Sequence, residues 1–153
     1  MLSALLILAS VTAQAPHLTP VVAVSPDRVA VDSIKAGKRD CPNCDLSGAD
    51  LTNQCVKTGN LQGATFDGAK LVLMCMSYAD FRGASFRNTD LAGANLAHAK
   101  VDDADFTGAD LSIASIKGTD MSRARGLTQK QLDRACADSE TRVPAGLKAK
   151  TCS

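Results

Sequence analysis

Starting at Leu46, an apolar residue recurs at every fifth position as far as Met121, and all sixteen positions of that series are apolar. The four phenylalanines of the chain, Phe66, Phe81, Phe86 and Phe106, all fall in it. Two residues before each apolar centre the side chain is small. Ten of the sixteen are alanine, with Cys44, Gln54, Gly59, Met74, Thr89 and Thr119 as departures. A polar residue, often Asp or Asn, sits just before the centre, and glycine is frequent two after it. So regular a period marks a repeat.

Period five suits neither standard element. On an α-helix each step of five rotates the centre by about 140°, which spirals the apolar residues around the surface. On a flat strand the odd step throws alternate centres onto opposite faces. A path that turns a corner after every unit avoids both outcomes. The centre and the small residue then point into one narrow shaft, the small one leaving room for the large, and Gly with Asp or Asn serves the corners. The units Cys44-Asp45-Leu46-Ser47-Gly48, Ala49-Asp50-Leu51-Thr52-Asn53, Ala94-Asn95-Leu96-Ala97-His98 and Ala109-Asp110-Leu111-Ser112-Ile113 resemble the A(D/N)LXX pattern of the pentapeptide-repeat family. That resemblance implies an all-β solenoid, a right-handed quadrilateral β-helix with four pentapeptides to a coil and therefore about four coils. Stacked at about 4.8 Å per coil they make a rod about 19 Å long.

A solenoid open at both ends exposes its core and its unpaired edges, so each end needs a cover. Thr128 and Gln131 have the spacing of a capping box, and Leu127 and Leu132 that of a hydrophobic staple. They predict a short helical cap from about Gln129 to Ala137, with Leu132, Ala135 and Cys136 lying over the last coil. The rest, Asp138 to Ser153, contains Pro144 and Gly146 and is expected to be irregular. The chain divides accordingly into repeats over 41–126 and a cap with a tethered tail over 127–153. Upstream, residues 16–40 hold three prolines and the basic cluster Lys35, Lys38 and Arg39, and read as a loose segment with Val29 to Ile34 as a candidate edge strand. Before them, Leu2 to Ala13 is a short apolar run ending in Ala13-Gln14-Ala15, the pattern of an export signal over 1–15 cut after Ala15. It is shorter than the roughly 18 to 20 apolar residues a membrane helix needs, and no later stretch approaches that length, so no integral membrane span is expected.

All six cysteines follow that cut, and an even count in an exported chain suggests disulfides in an oxidising compartment, periplasmic or secreted. Cys55 and Cys75 lie one coil apart on one outward column, with Cα atoms about 4.8 Å apart, and are expected to bond. Cys136 and Cys152 close a loop worth about 3 kcal/mol in the chain-entropy model and would pin the tail to the cap. What remains is Cys41-Pro42-Asn43-Cys44, either a staple at the N-terminal end or a thiol–disulfide redox pair. Redox chemistry needs a thiolate at a helix N-terminus in a thioredoxin-like setting, whereas this motif opens a solenoid and places Cys44 in an inward slot. No second Cys-x-x-Cys or paired histidine completes a zinc site, and no metal or cofactor is expected.

Composition narrows the function. Aromatic residues are 3% against a hydrophobic total of 45%, with no tryptophan, which disfavours a wide globular core. Seventeen basic against sixteen acidic residues create no field that would recruit nucleic acid. Fifteen of the sixteen acids are Asp, a bias toward turns. Some members of the resembled family mimic duplex DNA and act on DNA gyrase, a role that calls for a strongly acidic surface. Residues 44–123 carry ten Asp against seven Lys or Arg, a net of only −3. Stacked columns such as Asp50, Lys70, Asp90, Asp110 and Asn60, Asp80, Lys100, Asp120 read as solvated charge ladders, each exposed pair worth about 0 to 1 kcal/mol, and not as acid–base machinery. His17 and His98 have no sequence-evident partner, and nucleophile and phosphate-loop motifs are absent. No enzymatic activity is expected.

One stretch departs from the polar pattern. In Leu71 to Tyr78 the outward slots hold Val72, Leu73 and Tyr78, and the twenty-residue register places Ile113 two coils above Leu73 and His98 directly above Tyr78. This predicts an exposed apolar patch at one corner, to be met by a protein partner, by a second copy of the chain in a homodimer, or by the N-terminal tail. The sequence therefore reads as a non-enzymatic exported scaffold for protein–protein contact.

Overall fold

The computed structural model describes residues 27–152. The expected export signal, its cut after Ala15 and His17 lie outside the described residues. From Asp45 onward the chain winds in coils of twenty residues, and the residue before each centre pairs in parallel with the one twenty further on. Four columns result, running Asp45–Thr65–Ser85–Asp105–Arg125, Asp50–Lys70–Asp90–Asp110, Cys55–Cys75–Asn95–Ser115 and Asn60–Asp80–Lys100. They form the four sides of a rod four coils tall. Among the described residues the step from Lys100 to Asp120 is the gap in this scheme, and Asp120 pairs instead with Arg142 above it.

Backbone N–H groups account for the winding. Around Leu51, the Ala49 N–H closes a turn on the Leu46 carbonyl at 3.1 Å, while the N–H groups of Leu51 and Asn53 donate to Lys70 and Val72 of the next coil at 2.9 and 3.0 Å. The Lys70 N–H donates down to Ala49 at 2.9 Å. The ladder thus serves every N–H of a unit except that of the residue just after the centre. Asp or Asn before the centre supplies that partner: its Oδ1 accepts the N–H two residues on, as Asp50 does from Thr52, Asn95 from Ala97 and Asp110 from Ser112. All nine Asp or Asn residues at that position between 45 and 120 do so, at 2.9 to 3.2 Å. This Asx turn is reached by the short Asp or Asn side chain, which explains the near absence of Glu. It also assigns the acidic columns a local job: the described ion pairs are made by arginines, as in Arg82–Asp80 and Arg87–Asp105, both at 2.7 Å, and not by Lys70 or Lys100.

Inside the shaft all sixteen centres are buried to 1% exposure or less. Phe66, Phe86 and Phe106 sit at successive levels of one side and stack with centroids 5.0 Å apart at each step, and Phe81 meets Phe66 and Phe86 edge-on. Where threonine replaces the small inward alanine its hydroxyl is satisfied: Thr89 donates to the Phe66 carbonyl at 2.7 Å and Thr119 to that of Leu96 at 2.8 Å. Gly59 is demanded by close approach, since a Cβ there would lie 2.2 Å from the Arg39 carbonyl oxygen.

Both ends are closed, and here the structure corrects the reading of the sequence. Residues 28–35 are neither loose nor an edge strand but a helix, α1 (Arg28–Lys35), capped by the Asp27 carboxylate on the N–H groups of Val29 and Ala30. The β-branched residues suggested a strand. The open shaft instead demands an apolar plug, and Ala30 and Ile34, one helical turn apart, join the core at 5% and 1% exposure. Cys41 and Cys44 are bonded to each other beside this plug, across the first turn of the repeat. At the other end the capping box forms as expected, but α2 (Gln129–Leu132) is only four residues long. It stops early because the chain must rejoin the ladder, where Cys136 pairs with Ser115 and Arg142 with Asp120. Gln131 also donates its side-chain amide to the carbonyls of Phe106 and Ala109 at 2.8 and 2.9 Å, closing the last coil's open edge. Leu132 and Ala135 are buried over the shaft, while Cys136 is half-buried and bonded to Cys152. Thr151, in the segment expected to be irregular, pairs with Ala137.

Two outcomes follow from this packing. Phe86→Ala removes the middle ring of the stack and should lower unfolding stability by about 3 to 5 kcal/mol in urea denaturation. The second concerns Asp105, whose carboxyl is held down to about 2 by the Thr107 hydroxyl and N–H and by Arg87, against the ordinary 3.8. A folded-state value below the unfolded one stabilises above the ordinary carboxylate range, and that contribution is lost as pH falls from about 4 through about 2. Thr107→Val should therefore be less stable than the parent at pH 7, with the difference in urea midpoint shrinking as the pH is lowered toward 2.

Candidate interaction face

The four sides of the rod are not equivalent. Between residues 45 and 123 the coils carry seventeen charged side chains, and fifteen of them lie outside the Cys55–Cys75–Asn95–Ser115 side and its two bordering corners. Only Lys57 and Lys117 belong to it, at the bottom and top of one corner. The middle of this face is uncharged.

Its corners are also built differently. From Gly48 to Gly118 the residue two after each centre has φ between +53° and +70°, a conformation that glycine adopts freely and Asn or Asp tolerates. Elsewhere on the rod the described residues with positive φ at that place are Gly, Asn or Asp. The exceptions are Thr58, Leu73, Tyr78, His98 and Ile113, and all five border the uncharged face. A bulky left-handed residue costs about 1 to 2 kcal/mol relative to glycine. The side chains are not compensated by burial, since Leu73, Tyr78 and Ile113 remain 57%, 54% and 73% exposed.

The register expected from the sequence is present, with one correction. Leu73 and Ile113 occupy one corner, and Tyr78 and His98 the next, because a spacing of five residues is a quarter turn. The predicted single-corner patch is thus two corners framing a flat side. On the first, Leu73 and Ile113 reach toward each other over Gly93, where a Cβ would lie 2.6 Å from one Leu73 methyl and 3.7 Å from the Ile113 δ-methyl. On the second, the Tyr78 and His98 rings stack at 4.9 Å and 18°, with the Lys57 ammonium 5.9 Å from the Tyr78 centroid. Val72 is half-buried and contributes only an edge. Cys55 and Cys75, expected to bond, are thiols that face each other on the flat side with their sulfurs 2.6 Å apart. The left-handed corners were missed by sequence reasoning, although a non-Gly, non-Asn residue two after the centre is a signal that could have found them.

A model of pentapeptide repeats matches the chain in eight copies, over residues 44–83, 75–112 and 89–125, which together span more than half of it. The chain belongs to the pentapeptide-repeat family. Its coil is the right-handed quadrilateral β-helix of that family. Among solved structures this pentapeptide-repeat protein resembles HetL, a pentapeptide repeat protein involved in heterocyst differentiation regulation from the cyanobacterium Nostoc, at 24% identity and a TM-score of 0.57, over 70% of this chain and 50% of HetL. It spans about half the length of that relative. It is also similar to QnrB1, a plasmid-mediated fluoroquinolone resistance protein, at 17% identity and a TM-score of 0.44, over 72% of this chain and 79% of that one. A pentapeptide repeat protein of the Arabidopsis thaliana thylakoid lumen is 30% identical over 69% of this chain and 58% of its own, with a TM-score of 0.25. No curated protein matches by sequence. Among the described residues no helix is long and apolar enough to cross a membrane.

The close approach at Gly93 gives a direct test of the corner geometry. Gly93→Ala adds a methyl into Leu73 at φ +67° and should cost about 1 to 2 kcal/mol by thermal or urea unfolding, where an alanine at an ordinary exposed turn position would cost almost nothing.

Proposed function

We propose that this pentapeptide-repeat scaffold is a non-enzymatic exported protein, periplasmic or secreted, whose uncharged face docks a protein partner. One observation carries the reading: the bulky left-handed residues are concentrated on the two corners that frame the uncharged side. Stability alone would favour glycine or asparagine there, as at the other corners, so the retained Leu73, Tyr78, His98 and Ile113 are accounted for by contact outside the chain. Aromatic and aliphatic side chains around a charge-depleted centre have the composition of a protein-binding patch. The near balance of charge over the coils supports a protein partner over a nucleic-acid-like surface. Two bonded cysteine pairs, at opposite ends of the rod, support an oxidising compartment.

The test separates binding from folding. Ile113→Gly should raise unfolding stability by about 1 kcal/mol while weakening association, because it relieves the left-handed strain and removes a contact. Leu73→Ser with Tyr78→Ser should leave the urea midpoint within about 0.5 kcal/mol of the parent and reduce capture of the partner. Capture is read with a photocrosslinker at Asn95, in the middle of the face, against one at Ser85 on another side. Equal yields from the two positions would sink the docking reading, and crosslinks to a second copy of the chain would identify a homodimer. Export is checked separately by mass spectrometry of the mature protein, expected to begin at Pro16.

A further inference from the structure

The flat side of the uncharged face holds two thiols whose placement in the repeat is chemically specific. Cys55 and Cys75 occupy the slot just before the centre, the position where nine Asp or Asn residues offer an oxygen to the N–H two residues on. In the unit around Val56 that N–H belongs to Lys57, which helps hold the Cys55 thiol below its ordinary pKa. The slot therefore sets an acceptor beside a backbone donor. Parallel pairing joins Cys55 to Cys75, one coil apart, and a coil spacing of about 4.8 Å falls inside the Cα separation of disulfides. The sulfurs already touch at 2.6 Å, so joining them requires no movement of the backbone.

The geometry points to Cys55 and Cys75 as a dithiol that exchanges with an incoming disulfide and ends as a bond between two successive coils. The roles differ between the two. Cys55 is exposed, and contact with the Cys75 thiol, the Lys57 N–H and the charges of Arg39 and Lys57 pull its pKa down. Burial and the neighbouring Cys55 push that of Cys75 up. Cys55 accordingly attacks as the thiolate. It bonds to one sulfur of the incoming disulfide, whose other half leaves as a thiolate and takes up a proton. Cys75 then gives up its proton and attacks the Cys55 sulfur, expelling the second half as a thiol. The two protein thiols are oxidised, one external disulfide is reduced to two thiols, and two protons pass from the chain to those products. The coil ladder holds both sulfurs in place, so the second step is intramolecular and the mixed disulfide is short-lived. This chemistry needs no docked partner and stands or falls apart from the docking reading.

The test uses the purified full chain with its Cys41–Cys44 and Cys136–Cys152 bonds intact and oxidised glutathione as the probe. Alkylation followed by mass spectrometry should show Cys55 and Cys75 losing their thiols together, with two reduced glutathione molecules released per chain and no persistent adduct. Cys75→Ser should stop at one glutathione on Cys55, whereas in Cys55→Ser the remaining Cys75 should react about tenfold more slowly. Both variants should keep the parent circular dichroism. A stable glutathione adduct on the parent chain, equal reactivity of the two single thiols, or thiols that persist throughout would each overturn the assignment.

Discussion

One backbone N–H in every five is served by neither the coil ladder nor the corner turn, and the repeat is organised around that deficit. Coil stacking satisfies the other four through the ladder and the corner turn, as the unit around Leu51 shows. In nine of the sixteen units the fifth is met from within by the Asp or Asn before the centre. Each such bond contributes about 0.5 to 1.5 kcal/mol net, a gain that recurs in those nine units along the rod. The polar letter of the repeat is therefore a backbone requirement before it is a surface charge. Asp110 and Asp120 are accordingly held below their ordinary pKa first by the Ser hydroxyl and N–H two residues on and only secondarily by arginine, whereas Asp80 is held down first by Arg82.

A stack of identical coils has no natural end, and the two solutions here are chemically distinct. The lower opening is plugged by apolar side chains of α1, with Ile34 carried into the core and the Cys41–Cys44 bond beside it. The upper opening is a polar problem as well, because the carbonyls of the last coil point into empty space. Gln131 and Thr141 supply donors to Phe106, Ala109 and Ile116, while Leu132 and Ala135 cover the shaft. Gln131 serves twice, as the second half of the capping box and as the edge cap of the solenoid.

Against so regular a scaffold the uncharged face stands out as the place where local stability is given up. Its corners hold Leu, Tyr, His, Thr and Ile in a conformation suited to glycine, and its flat side holds cysteine where the backbone prefers Asp or Asn. The ladder on every side over-determines the backbone and keeps these residues in place. A rigid rod can thus present strained, apolar and nucleophilic groups without a loop or a cleft.

The spacing of side chains along the chain was enough to reveal the period, the buried centres, the four phenylalanines among them, and the start of α2. These depend on neighbours at fixed small separations or on one register that every coil repeats. The match of the repeats to A(D/N)LXX likewise identified the coil without coordinates. What local sequence could not supply was decided between distant segments. Val29 to Ile34 became helical because the shaft beneath Leu46 had to be filled, a demand that β-propensity does not encode. The cap helix ended at Leu132 because Ser115 captured Cys136 into the ladder. The quarter turn between Leu73 and Tyr78 was implicit in a five-residue spacing with four units to a coil, but how closely the sulfurs of Cys55 and Cys75 approach was a matter of three-dimensional placement, since only the folded coil sets the distance between side chains twenty residues apart.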